Sequence, residues 1–489
     1  MKQNPTPSWR RLAAACLLAT LAGCITAPTP DNPHAPWTPP RDADRRDTTW
    51  EGLRQREADL SRPLALAELA DLALRHNAAT RRAWYEARAA AAQVDHAQGA
   101  FMPAVVASAN AGLTGASASP ASFDKQSATA GLGLQVNYLV LNFGGGRAAA
   151  VAQALQTVYA ADFAFNQTIQ DALLAVATAY YGHTSAQAGM VAAEAAVEDA
   201  RTVLEAARAR STAGVGTELD VLQAQAAYDQ ALYARAAAKG QLEIARGTLA
   251  QAAGLPADAP LQTVAPTNEL PGELAAAVVR GLVDGAITRR PDIAALRANL
   301  AARRAAVDVA RAVSWPSLYL TGGLSGNGYE WMEGVVSQDA DLAYNAGVSV
   351  SWTLFDGWQT ESSIRTARYQ AEAAQAQLEQ AELAAGAEVW MRYQACVTAR
   401  QKYTFSTAFL KSATAAHDTA LAAYKAGLKS LLDLLTAESQ LALARSQQVA
   451  TRQEVLTALV QLAHATGAPG NAGGVPAERP AAPAKETVP

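Results

Sequence analysis

The fold class predicted by this 489-residue sequence is mainly α-helical with a membrane β-barrel, built as two structural repeats. Three observations predict it. One short motif occurs twice, as "AGVGTELDVLQAQ" from Ala213 to Gln225 and as "AGLKSLLDLLTAE" from Ala426 to Glu438. Two segments alternate apolar with small or polar residues at period two, the mark of strands with one apolar face. Two proline-free runs, Gly145 to Ala213 and Gly357 to Ala426, are far longer than a compact globule can bury.

Composition sets the frame. Half of the residues are apolar, but only 6% are aromatic and alanine supplies much of the apolar share. Alanine is the best helix former and buries little area per residue, so long, closely packed helices are favoured over a thick core. A net charge of −4 lacks the strongly basic face that nucleic-acid binding needs.

The N-terminus reads as an export signal over residues 1–23. "MKQNPTPSWRRLAAACLLATLAGC" has a basic start, an apolar stretch and small residues before Cys24, and is too short to span a membrane as a helix. "LAGC", Leu21 to Cys24, resembles the lipobox of bacterial lipoproteins, which implies lipidation at Cys24. An ordinary signal cut nearby is the plainer alternative. Ile25 follows rather than an aspartate, which by the sorting rule of enteric lipoproteins implies the outer membrane. Loss of Cys16 with the signal and lipidation of Cys24 leave Cys396 alone, so no disulfide is expected. Residues 24–62 are proline-rich and read as an extended tether, and 468–489 as a disordered tail.

Between them lie repeat 1 (63–254), a connector (255–272) and repeat 2 (273–467). The pairs His76/Arg290, Pro103/Pro316, Phe143/Phe355, Asp220/Asp433 and Gly254/Gly467 are 214, 213, 212, 213 and 213 residues apart. A nearly constant offset over most of the chain marks an internal duplication.

Each copy opens with a helical stretch, Leu64 to Phe101 or Leu274 to Val313, with no internal proline except Pro291. A strand hairpin follows, over 104–142 and 317–355. In the first, Leu132, Leu134, Val136, Tyr138 and Val140 alternate with smaller or polar residues; in the second, Val348, Val350, Trp352 and Leu354 do so. Strands of about ten residues suit a tilted bilayer crossing. Phe101, Phe143, Trp315, Phe355 and Trp358 flank the hairpins as a membrane-interface belt would. A soluble sheet with one buried face is the alternative for the strands alone.

The long runs come next, each about 100 Å if helical. Ile169, Leu173, Val176 and Tyr180 step by four, three and four, as a packing seam requires. The repeated motif is then the tip of a helical hairpin, near 214–217 and 427–430. Gly214, Gly216 and Gly427 permit the helix-closing turns, and Thr217 and Ser430 supply N-caps. Leu428, Leu432 and Leu435 resume the seam. Asp220 and Asp433 fall in first turns, where the helix dipole favours carboxylates.

With the lipobox, the duplicated hairpins, the G-x-x-x-x-L-D-V-L-x-A tips and "RRPDIAALRANLAARRAAVDVARA", the chain resembles the TolC-type outer-membrane efflux proteins, nearest their NodT-like lipoprotein branch. The resemblance covers about Leu64 to Gly467. It implies a homotrimer in the outer-membrane lipid, with four strands per protomer in a twelve-stranded barrel and a long α-helical periplasmic tube. It further implies a periplasmic adaptor (membrane fusion protein) and an inner-membrane transporter as partners; the lipobox favours small-molecule efflux as the role, and no cofactor is expected. By the resemblance, Asp220, Asp433, Tyr424 and Lys429 line the periplasmic entrance, with Asp220, Tyr424 and Lys429 linking to hold it shut. Lysine stands where members often carry arginine, and Thr436 where some carry a second acid; both departures imply a weaker lock. Four strands cannot close a barrel in lipid, so oligomerisation agrees with the physics.

No enzyme or metal signature is present: the six histidines are scattered, without His-Glu-x-x-His or a Cys/His cluster. "NFGGGRA" lacks the Lys-Ser/Thr of a phosphate loop and reads, with "LFDGWQT", as a strand-to-helix joint. A polypeptide-secretion conduit is the alternative within the channel class. A periplasmic coiled-coil adaptor or scaffold without a pore is the alternative outside it.

Overall fold

The computed structural model describes residues 62–116, 125–264, 279–331 and 341–467. Cys24, the signal, nearly all of the tether, the later part of the connector and the tail lie outside them. The chain forms two compact units. The first holds Glu86–Ala161 and Leu296–Gln377; the second holds the described residues up to Tyr85, those within Asp162–Ala295 and those from Leu378 onward.

Repeat 1 comprises α1 (Leu66–His76), α2 (Ala78–Gly99), β1 (Ala104–Ala116), β2 (Lys125–Asn142), α3 (Gly146–Thr212) and α4 (Glu218–Ala252). Repeat 2 comprises α5 (Val279–Arg289), α6 (Pro291–Ala312), β3 (Ser317–Trp331), β4 (Asp341–Ser351), α7 (Gln359–Lys425) and α8 (Leu431–Ala465). Every helix of the second repeat starts and ends 213 residues after its counterpart. The pairing of His76 with Arg290 is therefore corrected by one position, since His76 and Arg289 close equivalent helices.

The opening helical stretch is two helices in each copy. Pro291 marks the second break, sitting at the first helical position of α6, where its missing N–H costs nothing. The first break has no proline. Asn77 is extended there, and its side-chain oxygen accepts from Ala79 N at 2.7 Å, so an asparagine cap does the work. The conspicuous "RRPDI" is also structural. Arg290 forks onto Asp292 (2.7 and 3.0 Å), reaches Glu388 at 2.6 Å and donates to the Ala465 carbonyl. Burial alone would raise the Asp292 pKa; the Arg290 fork more than offsets it and holds the carboxyl low.

The sheet is antiparallel in the order β1-β2-β3-β4. Its ladders run past the expected ten residues, to 13, 18, 15 and 11. Backbone pairing continues through Ala116↔Lys125 after the apolar alternation has stopped, because main-chain hydrogen bonds need no apolar side chain. At the other end β4 stops at Ser351, so Trp352 and Leu354 lie beyond it. Ser351 pairs with Ser317, the first residue of β3 after Pro316, and no strand is left for them to join.

The long helices are each 67 residues. Val176 and Tyr180 of the expected seam are buried, in a cluster with Leu69, Leu249 and Leu261. In α8 the phase differs from expectation. Leu431, Leu434 and Leu441 face the core, while Leu428 and Leu432 are 80% and 69% exposed. Leu435 of the expected set does pack against the tip cluster, and the buried face of the first turns is the one that Leu431 and Leu434 present to Val203, Leu204 and Ala207 of α3. Cys396 is buried and unpaired, and burial pushes its thiol up to about 11.

Candidate functional site: a two-faced sheet and paired helical tips

The pairing register defines what each face of the sheet carries. One face combines Val105, Ala107 and Ala109 of β1, Leu132, Leu134, Val136 and Tyr138 of β2, Leu320 and Leu324 of β3, and Leu342, Tyr344, Val348 and Val350 of β4. It is apolar across all four strands. A bulge between Leu139 and Leu141 keeps Leu141 opposite Leu318 and Val350 on that face, and leaves Val140 as the extra residue. The opposite face carries Ser108, Asn110, Gln135, Asn137, Thr321, Ser325, Asn345 and Ser349 among small residues, interrupted by Val106, Leu139 and Tyr319. A wall with lipid on one side and water on the other has this composition.

The flanking aromatics gather at one end of this sheet, where β1 and β3 begin and β2 and β4 end. Phe101, Phe143, Trp315, Phe355 and Trp358 are all between 40% and 74% exposed. Arg147 lies over the Phe101 ring at 4.5 Å and donates to the Leu139 carbonyl at 2.6 Å, fixing the strand-to-helix joint. Phe355 and Trp358 meet edge to face at 6.1 Å. Trp358 has φ +70°, at the offset where the first copy has Gly145 with φ +69°. An indole thus occupies a left-handed position that a bulky residue rarely adopts.

At the other candidate site, the tips, the two copies use one construction. Gly214 (φ +74°) and Gly427 (φ +78°) end their helices in left-handed turns. Val215 N donates to the Arg210 carbonyl, and Leu428 N to the Ala423 carbonyl, the six-to-one bond of a Schellman cap. Gly216 serves differently from expectation: its φ is not left-handed, but a Cβ there would sit 3.0 Å from Ser211 N. Lys429 occupies the matching place in copy two. Thr217 and Ser430 are N-caps, and Asp220 and Asp433 answer them as the third residue of reciprocal capping boxes. The Ser430 hydroxyl and N–H hold the Asp433 carboxyl below its usual range, with a smaller contribution from Lys429.

Lys429, in the turn just before the Ser430 cap, has its Nζ 4.0 Å from Asp433 Oδ1, and both side chains are exposed. Tyr424 is buried against Val203, Leu204, Ala207, Leu431 and Leu434. By distance and angle its hydroxyl makes no hydrogen bond among the described residues; burial, aided by the Asp220 charge, raises its pKa, and the nearby Arg210 guanidinium opposes the rise. The residue that joins the tips is Arg210, which the duplication conceals because its counterpart is Ala423. Its Nη1 donates to the Tyr424 carbonyl at 3.0 Å, its Nη2 to the Val215 carbonyl at 3.3 Å, and its guanidinium lies 5.0 Å from the Tyr424 ring centroid. The signal available in sequence was a basic residue in the last turn of α3.

Comparison with known proteins agrees with this architecture. The family model described as "Outer membrane efflux protein" matches residues 69–255 and 282–468, one match per repeat. The chain belongs to that family. It is 32% identical over 429 residues to Protein CyaE of Bordetella pertussis, covering 85% of this chain and 84% of that protein. It is 28% identical to the pyoverdine export outer membrane protein OpmQ of Pseudomonas aeruginosa, over 63% of this chain and 64% of that one. The fold is similar to the Campylobacter jejuni CmeC outer membrane channel, with a TM-score of 0.72 over 91% of this chain and 95% of that one at 18% identity.

Proposed function

We propose that this protein is the outer-membrane channel component of a tripartite efflux system, passing small molecules to the exterior. The observation that carries the reading is the sheet, apolar on one face and polar on the other, with β1 and β4 each paired on one side only among the described residues. An open sheet edge is not viable in hydrocarbon, so three copies would join edge to edge as a closed twelve-stranded barrel with the polar face inside. The flanking aromatics would lie at one membrane interface, and a lipidated Cys24 would add a second attachment to the same membrane.

The paired tips form the periplasmic entrance in this reading, with Asp220, Asp433, Tyr424 and Lys429 around it. The exposed side chains of Val215, Leu219, Leu428 and Leu432 would meet a periplasmic adaptor, which couples the tube to an inner-membrane transporter. Lys429, 58% exposed and 4.0 Å from Asp433, would exchange that loose pairing for Asp220 of a neighbouring copy.

The test is single-channel conductance of the purified mature protein in a planar bilayer, with and without Asp220→Ala plus Lys429→Ala. Small cation-preferring steps that enlarge in the variant support a channel gated at its tips. A well-folded trimer that conducts in neither form would end the pore reading and favour a periplasmic scaffold.

A further inference from the structure

We infer that Arg210 is the latch that holds the second tip onto the first within one chain. The inference deepens the reading of the tips as a gated entrance and rests on it. Three contacts of one guanidinium carry the inference. Arg210 belongs to the last turn of α3, and Nη2 reaches back to the Val215 carbonyl in the turn that follows. Nη1 crosses to the Tyr424 carbonyl, at the end of α7 and 214 positions away in sequence. The plane between them lies over the Tyr424 ring.

The chemistry of the accepting atom explains why an arginine belongs there. The Tyr424 carbonyl is one of the last of its helix, and already accepts from Gly427 N in the closing turn at 3.0 Å. Such carbonyls carry the negative end of the helix dipole, and a cation beside them is stabilised. Arg210 thus caps a helix of the other repeat while remaining tied to its own turn. Gly427 gives it room, since a Cβ there would sit 3.3 Å from Nη1. The arrangement has no mirror, because copy two carries Ala423 where copy one carries Arg210. Opening the entrance by moving α7 and α8 away from α3 must break this contact together with the apolar cluster of Val203, Leu204, Ala207, Tyr424, Leu431 and Leu434.

The latch uses the ring and main-chain carbonyl of Tyr424, and leaves its hydroxyl without a partner among the described residues. That separates it from a lock made by a Tyr424–Asp220 hydrogen bond. Arg210→Gln should raise the open fraction of the full-length channel about tenfold, the loss of one charge-assisted contact, whereas Tyr424→Ala keeps the accepting carbonyl and removes the ring over which the guanidinium lies. Once Arg210→Gln is in place, adding Tyr424→Ala should raise opening by less than Tyr424→Ala does in wild type, because the ring contact to the guanidinium is the term they share. Tyr424→Phe should leave opening unchanged. Arg210→Lys, which keeps the charge without the fork, should fall between wild type and Arg210→Gln.

The experiment is single-channel recording of these four variants and the double variant, each confirmed as a folded trimer, beside wild type and the Asp220→Ala plus Lys429→Ala protein. If the latter opens while Arg210→Gln behaves as wild type, the entrance stands and the latch is overturned. A Tyr424→Phe channel as open as Arg210→Gln would equally overturn it, moving the lock to the hydroxyl. If no form conducts, the entrance reading fails and the latch with it.

Discussion

Gly254 lies against the backbone of His76 so closely that a Cβ on it would sit 2.9 Å from the His76 carbonyl carbon. Gly467 stands in the same relation to Arg289, at 3.0 Å. Both glycines are left-handed, with φ of +75° and +70°, and both close the descending helix of a hairpin. The duplication therefore extends to a specific contact: each returning helix ends on the break between the two opening helices of its own repeat.

This contact predicts the effect of one methyl group. Gly254→Ala adds backbone strain and a clash with main-chain atoms that cannot swing aside, and should cost about 2 kcal/mol or more. Gly240→Ala, inside α4 where a Cβ would meet nothing within 4 Å, should instead gain up to about 1 kcal/mol from helix propensity. Thermal melting of helical circular dichroism in detergent distinguishes them; equal shifts would refute the close-approach argument.

The two faces of the sheet predict opposite responses to charge. Leu134→Arg places a cation on the apolar face and should cost about 2–4 kcal/mol near the bilayer midplane. Gln135→Arg, its neighbour on the polar face, should be tolerated and alter ion selectivity. Recovery of heat-resistant trimers from outer-membrane fractions reads the first, and reversal potentials the second.

Arg290 joins two carboxylates and a helix-end carbonyl while only 12% of its side chain is exposed. Arg290→Ala leaves Asp292 without its cation and Glu388 with Arg392 alone, 3.9 Å away, and should destabilise by about 2 kcal/mol, below the cost of breaking a fully buried pair because both carboxylates keep some solvent. Arg290→Lys should recover only part of this, lacking the fork. A melting temperature unchanged by Arg290→Ala would show the network to be dispensable.

Glu438 provides the pH dependence. It faces Asp199 of α3, which is paired with Arg445, and its own Oε2 is buried without a partner among the described residues. Burial first, and the Asp199 charge second, push its pKa from 4.5 up to about 7. Because the folded value is the higher one, the fold is favoured by the protonated acid. The contribution of Glu438 is complete below about pH 4.5, declines as pH rises towards about 7, and is flat above. Glu438→Gln should remove that slope. Melting temperatures of wild type and variant across this interval should converge at the acid end and separate above it, with the variant the more stable.

The sequence by itself determined the two repeats, the long helices, the turns that close them and the alternation of the strands, because each is written in residues close together in the chain. Glycine marks a left-handed turn, threonine or serine followed by aspartate marks a cap, and period two marks a strand, whatever surrounds them. Tertiary structure alone decided which partners those elements meet. The phase of α8 puts Leu431 and Leu434 inward and Leu428 and Leu432 outward, a choice that spacing permits either way. The exposed apolar residues of β2 and β4 became one continuous face only when β3 set the register between them. Arg210 was invisible to the repeat, since its value depends on a carbonyl 214 residues away and its own counterpart is alanine. Local patterns specify elements because neighbours along the chain share one geometry. Contacts between distant residues depend on how those elements dock, which no single stretch of sequence contains.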